Sequence, residues 1–266
     1  MPSLNLGPAD YERALEALGL SGVRVFHRRT TGSTNDDARQ IVSSRLPIVE
    51  GAVAIVVAET QTSGRGRGTN TWASPLGSIS LTITAPGIEA RRLGVLPLGA
   101  GACVADAIRS LGAPAVVKWP NDILIDSHKV CGILCESSLL GETARVFIGV
   151  GINVDAGLSE EQAGSPATTL ANHGLVVDRP SLVADVTSRV LAMIRDPSSN
   201  EQVVARWKAL AAPWWGQEVD LKDGAAERRV TLLDVNPEGQ LVVRDETGVV
   251  RSLVSGEVRQ LRTAHA

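Results

Sequence analysis

The 266-residue sequence has few cysteines, few aromatic residues and no long apolar segment. Its three cysteines, Cys103, Cys131 and Cys135, are odd in number and lack a CxxC pair, which argues against a disulfide framework. No further Cys or His pair completes a zinc set, so these thiols are expected to pack as core residues. No apolar run reaches the roughly 18 residues of a membrane span, and no leader pattern opens the chain. We expect a cytoplasmic protein without membrane contact.

A basic excess and the familiar hydrolase motifs are also missing. The formal net charge of −3 and the pI near 5.9 mean that a nucleic-acid partner would require a local basic patch. Neither GxSxG nor HExxH occurs, and the four histidines are scattered without metal or triad spacing. Hydrolase and metalloprotease functions therefore have no support. The length and the 44% hydrophobic content suit one large domain with a small one attached.

Hydrophobic periodicity predicts an α+β domain followed by a β-rich appendage. Helices are predicted near 8–18, 33–44, 97–111, 182–194 and 201–210. Strands are predicted at 23–28, 52–59, 78–84, 115–118, 123–126, 129–138 and 144–154, the last three as an antiparallel meander. The alternation in SISLTIT predicts that strand 78–84 is half-buried. From Trp215 four short strands at tight spacing predict a small β-barrel, which places the domains at 1–213 and 214–266.

The segment QTSGRGRGTNTW, residues 61–72, follows the apolar strand at 52–59. Its glycines allow backbone N–H groups to approach a ligand, and Arg65 and Arg67, two residues apart, can project to one side of an extended segment. The pattern fits an anion-binding loop, an RNA-binding Gly-Arg segment or a mobile surface turn. Because GxGxG without GK[ST] is a weak signal, the residues of this loop alone do not decide among these readings.

Three further segments carry groups that could bind a ligand. KWPND at 118–122 combines a lysine, an amide and a carboxylate, although an Asn-Asp turn with an exposed lysine has the same pattern. Lys129 begins KVCGILCE, in which Gly132 indicates a close backbone approach. GVGIN at 149–153 ends a strand with glycines and an amide, which is equally typical of a β-bulge. The Ser, Thr and Asn of 33–35 are common helix N-caps.

Taken together and in order, five motifs resemble those of biotin–protein ligases, also called holocarboxylase synthetases. They are GSTN at 32–35, QTSGRGRG at 61–68 followed by Trp72, KWPND at 118–122, KVCGILCE at 129–136 and GVGIN at 149–153. The resemblance covers nearly the whole chain. It implies a class II aminoacyl-tRNA synthetase-like catalytic domain on a mixed β-sheet, plus a small C-terminal SH3-like β-barrel.

The resemblance also implies roles for single residues. Biotin would be bound by Ser33, Thr34, Asn35, Gln61, Gly64, Arg65, Gly66, Arg67, Lys129 and Gly132, with residues 33–35 at its ureido end. The nucleotide would be bound by Arg67, Trp72, Lys118, Asn121 and Asn153, with Trp72 against the adenine. The catalytic groups would be Arg65, Lys118, Asp122 and Lys129. Asp122 would lie near Mg²⁺ or the incoming amine, and the metal ligands are otherwise unknown.

The implied activity is an ATP-dependent ligase with biotin and ATP as substrates and Mg²⁺ as the ion. It would form biotinyl-5'-AMP and transfer biotin to a lysine of a biotin carboxyl carrier domain of an acyl-CoA carboxylase. The Arg-Gly loop is expected to be poorly ordered when empty and to close over the adenylate, which would otherwise hydrolyse. A homodimer is compatible with the resemblance.

Three other functions are weighed against this one. A lipoate or octanoate ligase of related fold is the nearest enzymatic rival, and an RNA-binding protein is disfavoured by the acidic pI. A biotin-responsive repressor would need a winged helix-turn-helix, but only about twenty residues precede the first predicted strand at 23–28. A DNA-binding domain is therefore not expected. Cys131 and Cys135 stand where small or aliphatic residues are usual in the family, and thiol sensitivity is an open question.

Overall fold

A seven-stranded mixed sheet forms the centre of the molecule. The structure is a computed structural model, and it describes residues 6–44, 52–155, 166–196, 200–223 and 226–260. The strands are β1 (Arg24–Thr31), β2 (Ala54–Gln61), β3 (Ile79–Glu89), β4 (Val116–Lys118), β5 (Asp122–Ile125), β6 (His128–Leu140) and β7 (Thr143–Ile152). Their order is β1-β2-β3-β7-β6-β5-β4. Only β1 and β2 are parallel among these pairs, and β5, β6 and β7 form the predicted antiparallel meander.

Helices cover both faces of this sheet. They are α1 (Pro8–Ala17), α2 (Thr34–Ser43), α3 (Leu96–Ser110), α4 (Arg179–Arg195) and α5 (Asn200–Leu210). Helix α2 packs on one face, where Ala38 and Ile41 contact Val56 and Phe147. Helices α1, α3, α4 and α5 pack with the other face in the main hydrophobic core. All five lie where the sequence predicts helices. The segment DPSSN, residues 196–200, is predicted to separate the last two helices, and its residues 197–199 lie outside the described residues.

The prediction that β3 is half-buried is wrong. Ser80, Thr82 and Thr84 alternate with apolar residues as the sequence indicates, yet all three are buried. Helix α2 and the segment around Ser74 cover the polar face of the strand, where Thr82 bonds to Asn35 and Ser80 bonds to Ser74. Alternation therefore identified a strand with one polar face, but that face packs against α2 and the Ser74 segment instead of meeting solvent.

A second, antiparallel sheet follows the helices. Its strands are β8 (Glu218–Asp223), β9 (Ala226–Val235), β10 (Leu241–Asp245), β11 (Val250–Leu253) and β12 (Glu257–Gln260), in the order β11-β10-β9-β8-β12. The sequence predicts the first four strands and misses β12, which is short and follows the Ser-Gly turn at 255–256. The predicted domain boundary at 213/214 falls in a 3₁₀ turn, Ala212–Trp214, and that boundary stays a prediction.

The two sheets meet in one apolar cluster. Val219, Leu221 and Leu232 of the second sheet belong to the same core as the helices and the central sheet. Trp119, at the end of β4, is buried and donates its indole N–H to the carbonyl of Gly239 at 3.2 Å. The second sheet therefore lies beside the end of the central sheet that carries KWPND. Among the described residues, no helix is both long and apolar enough to cross a membrane.

Candidate active site

A cavity of about 640 Å³ opens where the central sheet meets the second sheet. This volume is within the range of about 300–1,000 Å³ that is usual for small-molecule sites. The residues predicted from the sequence that line it are Ser33, Thr34, Asn35, Gln61, Arg65, Gly66, Arg67, Trp72, Lys118, Asn121, Asp122, Lys129, Gly132 and Asn153. Gly64 is the predicted site residue that does not line it. A Cβ at Gly64 would lie 2.4 Å from the carbonyl oxygen of Trp72, so this glycine lets the loop fold on itself.

The start of helix α2 forms one wall of the cavity. Ser33, Thr34 and Asn35 are buried there. Ser33 occupies the N-cap position, but its side chain makes no capping hydrogen bond. The backbone N–H and the hydroxyl of Thr34 instead lie 2.9 and 3.2 Å from the side-chain oxygen of Gln61. The helix-cap interpretation thus explains the position of the triplet, whereas the side chains of Thr34 and Asn35 bond to other elements.

The Arg-Gly loop is folded back by two isolated bridges, one between Gln61 and Ser74 and one between Arg65 and Thr71. The guanidinium of Arg65 lies 2.6 Å from Asp36. It also lies 3.0 Å from Glu136. The expectation that the loop is poorly ordered when empty stays a prediction.

Arg67 turns to a different element from Arg65. Its guanidinium donates to the carbonyl of Gly256, in the second sheet, at 3.1 Å. Burial lowers the pKa of Arg67, and the negative charge of Asp122 opposes that shift. The two arginines therefore line one cavity, as predicted, but they are held by separate partners.

Two lysines converge on one carboxylate at the end of β5. Asp122 lies 2.5 Å from the ammonium of Lys129 and 3.3 Å from that of Lys118. Burial by itself raises the pKa of Asp122, but Lys129 and Lys118 outweigh it and hold that pKa below its usual value. The carboxylate is therefore ionised at neutral pH, and the three groups together carry one net positive charge. This arrangement suits an anionic ligand.

The indole of Trp72 lies across two glycines that face each other on β6 and β7. Gly132 pairs with Gly151 in the sheet register. A Cβ at Gly151 would lie 2.3 Å from the indole, and one at Gly132 would lie 3.0 Å from it. The ammonium of Lys129 is 5.5 Å from the ring centroid of Trp72. Gly132 therefore provides the close approach that the sequence indicates, with an aromatic ring as the neighbour.

The two predicted adenine-binding amides differ in how they are held. Asn121 donates its side-chain N–H to the carbonyl of Ile133 at 2.7 Å, so part of this amide fixes the turn. Asn153 is buried and donates to the carbonyl of Thr168 at 3.1 Å. Its side-chain oxygen has no hydrogen-bond partner among the described residues. A buried acceptor without a partner is costly unless a ligand donor satisfies it.

The described residues do not form a protein-only metal site. In the ranges given above, no group of three or more His, Cys, Asp or Glu side chains is arranged to hold an ion. Asp122, the expected neighbour of Mg²⁺, is engaged on both oxygens by lysines. Mg²⁺ at nucleotide sites is usually bound by substrate phosphates, waters and one or two carboxylates. Magnesium therefore stays a prediction.

The cysteines are packed as the sequence predicts. Cys131 is buried in the core, and burial raises its pKa well above the usual range. Burial also raises the pKa of Cys103 and of Cys135 to about 12 each. Because the thiolate is the reactive form, all three are poor nucleophiles at neutral pH.

Several residues at the site have no role in the sequence-based prediction. Glu136 lies inside the KVCGILCE motif but was assigned no function, although it bonds to Arg65 and Asn35. Asp36 and Thr82 contact the same groups. Lys222, Gly256, Glu257 and Val258 of the second sheet line the cavity. The motif spacing places Glu136 on the same strand as Gly132, which was a usable signal. The resemblance includes the small C-terminal β-barrel, but it assigns no residue of that barrel to the site.

Comparison with known proteins agrees with this geometry. Residues 32–153, which contain the five motifs, match the model of the biotin/lipoate A/B protein ligase family. The fold and the site therefore define a ligase of this class. A biotin–[acetyl-CoA-carboxylase] ligase of Paracoccus denitrificans is 31% identical over 230 residues, which are 82% of this chain and 93% of the relative. The chain belongs to the biotin–protein ligase family, as its motifs predict.

A second relative supports the family assignment, and a solved structure supports the fold. A bifunctional ligase/repressor of Salmonella typhimurium is 31% identical over 237 residues, covering 86% of this chain and 72% of the relative. The structure of a biotin protein ligase from Aquifex aeolicus in complex with biotin and ATP matches with a TM-score of 0.72 at 24% identity. It covers 89% of this chain and 99% of that one. This likeness confirms the predicted fold.

Proposed function

We propose that the protein activates biotin with ATP as biotinyl-5'-AMP and transfers it to a specific lysine of a biotin carboxyl carrier domain of a carboxylase. The observation that carries the proposal is the convergence of motifs that are far apart in sequence. The α2 wall, the Arg-Gly loop, the lysine–Asp122 cluster and Asn153 all line one cavity. The family relatives named above are ligases of this kind.

Biotin lies with its ureido ring at the start of α2. Thr34 and Gln61 present hydroxyl and amide groups there, next to Ser33 and Asn35. The valeryl chain passes Gly132, whereas Trp72, whose indole lies against Gly132 and Gly151, is the ring expected against the adenine. The nucleotide lies toward Asn121, Asn153 and Lys118. The unpartnered side-chain oxygen of Asn153 accepts a hydrogen bond from the exocyclic amine of adenine.

The first step joins the biotin carboxylate to the α-phosphorus of ATP and releases pyrophosphate. Two anions must approach each other, so the site must supply positive charge. Lys129 and Lys118 supply it, since an incoming carboxylate or phosphate competes with Asp122 for their ammonium groups. Arg67 lines the same part of the cavity near Asp122. These fixed charges stabilise the pentacoordinate transition state at phosphorus.

The second step transfers the biotinyl group to the carrier. The lysine amine attacks the carbonyl carbon of the mixed anhydride, AMP leaves with the bonding electrons, and the amine nitrogen releases a proton. Asp122 is ionised, so its carboxylate accepts a hydrogen bond from the incoming amine and orients it. With a pKa below its usual value it is a weak base. The proton therefore passes to solvent or to the departing phosphate.

A direct assay tests this function. The pure protein with biotin, ATP, Mg²⁺ and an apo carrier domain should yield AMP, pyrophosphate and carrier-bound biotin. Replacing biotin with lipoate or octanoate separates biotin ligation from the related lipoate ligation within the same family. Release of pyrophosphate with lipoate and not with biotin would overturn the assignment. The cytoplasmic location, the homodimer and the absence of a DNA-binding role stay predictions.

A further inference from the structure

A chain of hydrogen bonds runs beneath the cavity from Glu136 to the start of α2. Asn35 donates its side-chain amide to the carboxylate of Glu136 at 2.8 Å. The hydroxyl of Thr82 lies 2.6 Å from the side-chain oxygen of Asn35 and 2.9 Å from the hydroxyl of Thr34. Thr34 in turn lies 3.2 Å from the side-chain oxygen of Gln61. Asn35, Thr82 and Thr34 are all buried.

The carboxylate fixes the direction of the first two bonds. Burial raises the pKa of Glu136, but Asn35, Arg39 and Arg65 outweigh it and hold that pKa below its usual value. The ionised carboxylate can only accept, so Asn35 must turn its NH₂ toward Glu136 and its oxygen toward Thr82. A Cβ at residue 149 would lie 2.7 Å from that oxygen, and Gly149 leaves the space it occupies.

The direction of the remaining bonds follows from counting protons. Thr82 has one hydroxyl proton, and the oxygen of Asn35 takes it, so Thr82 can only accept from Thr34. A hydroxyl pair at 2.9 Å needs one proton between its oxygens, so the hydroxyl proton of Thr34 is directed toward Thr82 and is not available to the oxygen of Gln61. Thr34 consequently meets the cavity with a lone pair, as a hydrogen-bond acceptor.

The side-chain amide of Gln61 is also held in one orientation, and it offers the cavity a donor. The backbone N–H of Thr34 can only donate, and it lies 2.9 Å from the side-chain oxygen of Gln61. The NH₂ group of Gln61 therefore faces Ser74 at 2.9 Å and keeps a second N–H for another acceptor. The wall thus presents an acceptor at Thr34 and a donor at Gln61. This pair is complementary to a ligand with adjacent N–H and C=O groups, as in a cyclic urea.

We infer that Glu136 is a positioning residue that sets the hydrogen-bond polarity of the ureido-binding wall through Asn35 and Thr82. The inference rests on the proposed function, because the ligand it concerns is biotin. Glu136 does not itself contact the ureido ring. It acts by holding Asn35 in one orientation, which leaves Thr34 able to accept an N–H from the ligand.

A second role of Glu136 must be separated from this one. Its carboxylate also pairs with Arg65 at 3.0 Å, so its removal also changes the loop. Asp36 provides a matched control, because it pairs with Arg65 at 2.6 Å. Within the described part of the chain, the Asp36 carboxylate makes no hydrogen bond to Asn35, Thr82 or Thr34. Asp36→Asn thus removes one carboxylate beside Arg65 and leaves the chain of hydrogen bonds in place.

The experiment measures equilibrium binding of two ligands without ATP, by calorimetry or intrinsic fluorescence. One ligand is biotin, and the other is its cyclic carbonate analogue, in which ring oxygens replace both ureido N–H groups. The ratio of the two Kd values reports how well the wall accepts an N–H. Wild type should prefer biotin, and Glu136→Met should reduce that preference by about tenfold, because a single hydrogen bond of this kind is worth about 1.4 kcal/mol.

The control variants separate the effect of Glu136 on the orientation of Asn35 from the effect of its negative charge beside Arg65. Glu136→Gln keeps an oxygen that can accept from Asn35 and should retain most of the preference, as should Asp36→Asn. Asn35→Ala interrupts the chain of hydrogen bonds at Asn35 and leaves both ion pairs of Arg65 in place. It must therefore also reduce the preference for biotin. This variant tests the inference even if Glu136→Met does not fold. Equal loss in Glu136→Gln and Glu136→Met, or an unchanged preference in Asn35→Ala, overturns the inference. Failure of wild type to bind biotin overturns the proposed function as well.

Discussion

The cationic side chains at the cavity differ in how many carboxylates they pair with inside the protein. Lys129 and Lys118 share one carboxylate, so one positive charge of this pair is left for a ligand. Arg65 is paired with two carboxylates, Asp36 and Glu136, and is the more strongly neutralised cation. At this scale, the lysine pair is expected to respond first to the biotin carboxylate and the α-phosphate.

Replacement of Lys129 should separate the two chemical steps. Lys129→Ala removes the cation nearest Asp122, so the anions of the first step meet with less positive charge. We expect adenylation, measured as biotin-dependent pyrophosphate release, to fall by roughly 10²–10³-fold. Transfer from preformed biotinyl-adenylate to the carrier should fall by less than about tenfold, since the anhydride is already formed. An equal loss in both steps would refute this role.

Asp122 should orient the acceptor amine without acting as its base. Its pKa is held below the usual value of about 3.9, so it is ionised throughout the neutral range. The transfer rate should therefore rise with pH as the carrier lysine loses its proton. Asp122→Asn should lower this rate by about tenfold or more without moving the midpoint of the pH–rate profile. Single-turnover transfer measured across pH checks this, and a midpoint that disappears in the variant would identify Asp122 as the base instead.

Two residue-scale predictions needed the structure for their interpretation. The sequence identifies Arg65 and Arg67 as cavity residues, and the structure places both there. Their spacing of two residues would allow both side chains to project to the same side of an extended segment. In the structure, however, Arg65 contacts α2 and β6, while Arg67 contacts the second sheet. Sequence spacing sets which way a backbone segment can project its side chains, but it does not specify which distant acceptors are available.

At the scale of elements, the pairing of β6 with β7 creates the surface that Trp72 covers. Gly132 and Gly151 are opposite each other in this pair. The absence of side chains at both positions lets a flat ring lie directly on the sheet. The two glycines are in separate motifs of the sequence, KVCGILCE and GVGIN, and strand register brings them together.

A side chain at Gly151 should displace the indole. In Gly151→Ala the new Cβ would lie 2.3 Å from Trp72, a contact that forces the ring or the strand to move. Overpacking of this kind costs about 1–3 kcal/mol of folding free energy, and the displaced indole intrudes on the cavity beside Gly132, so we expect biotin affinity to fall, by at most about 150-fold. Biotin titration with tryptophan fluorescence measures both the binding and the altered ring environment.

A nearby glycine provides the control for this variant. Gly32→Ala changes a motif residue beside α2, but no atom lies within 4 Å of its added Cβ. It should bind biotin within about twofold of wild type, as expected for an unstrained substitution. Similar weakening in both variants would mean that helix or strand propensity, and not the indole contact, causes the effect.

The strands of the central sheet could be predicted because their hydrophobic pattern is local. The parallel pairing of β1 with β2 and the sheet order could not be read in this way. Strand β3 shows the limit most clearly, since its hydroxyl face has the pattern of a solvent-exposed face. The face is buried because α2 and the segment near Ser74 fold over it.

At the scale of the whole molecule, the second sheet completes both the core and the cavity. Leu221 and Val258 share a hydrophobic cluster with Trp119 and the helices. Gly256 accepts a hydrogen bond from Arg67 in the Arg-Gly loop. The appendage predicted from residue 215 onward is therefore joined to the rest by apolar and polar contacts at the site itself.

Removal of the second sheet should cost both stability and activity. A chain ended at residue 213 would expose apolar side chains that Val219, Leu221 and Leu232 now cover. We expect a lower melting temperature or aggregation, together with loss of carrier biotinylation. A chain ended at residue 260 removes only residues beyond the described sheet and should match wild type. Full activity and an unchanged melting temperature for the 1–213 chain would show that the two parts are independent.

The sequence by itself determined the family, the cavity residues and most of the elements, because motif identity and hydrophobic period are local properties of the chain. Five short motifs in order named most of the polar and charged groups that line the cavity. The tertiary structure decided which of these groups contact each other. Asn35 and Glu136 are 101 residues apart, and Arg67 and Gly256 are 189 residues apart. Such contacts depend on strand register and on the packing of the second sheet, which no local pattern encodes.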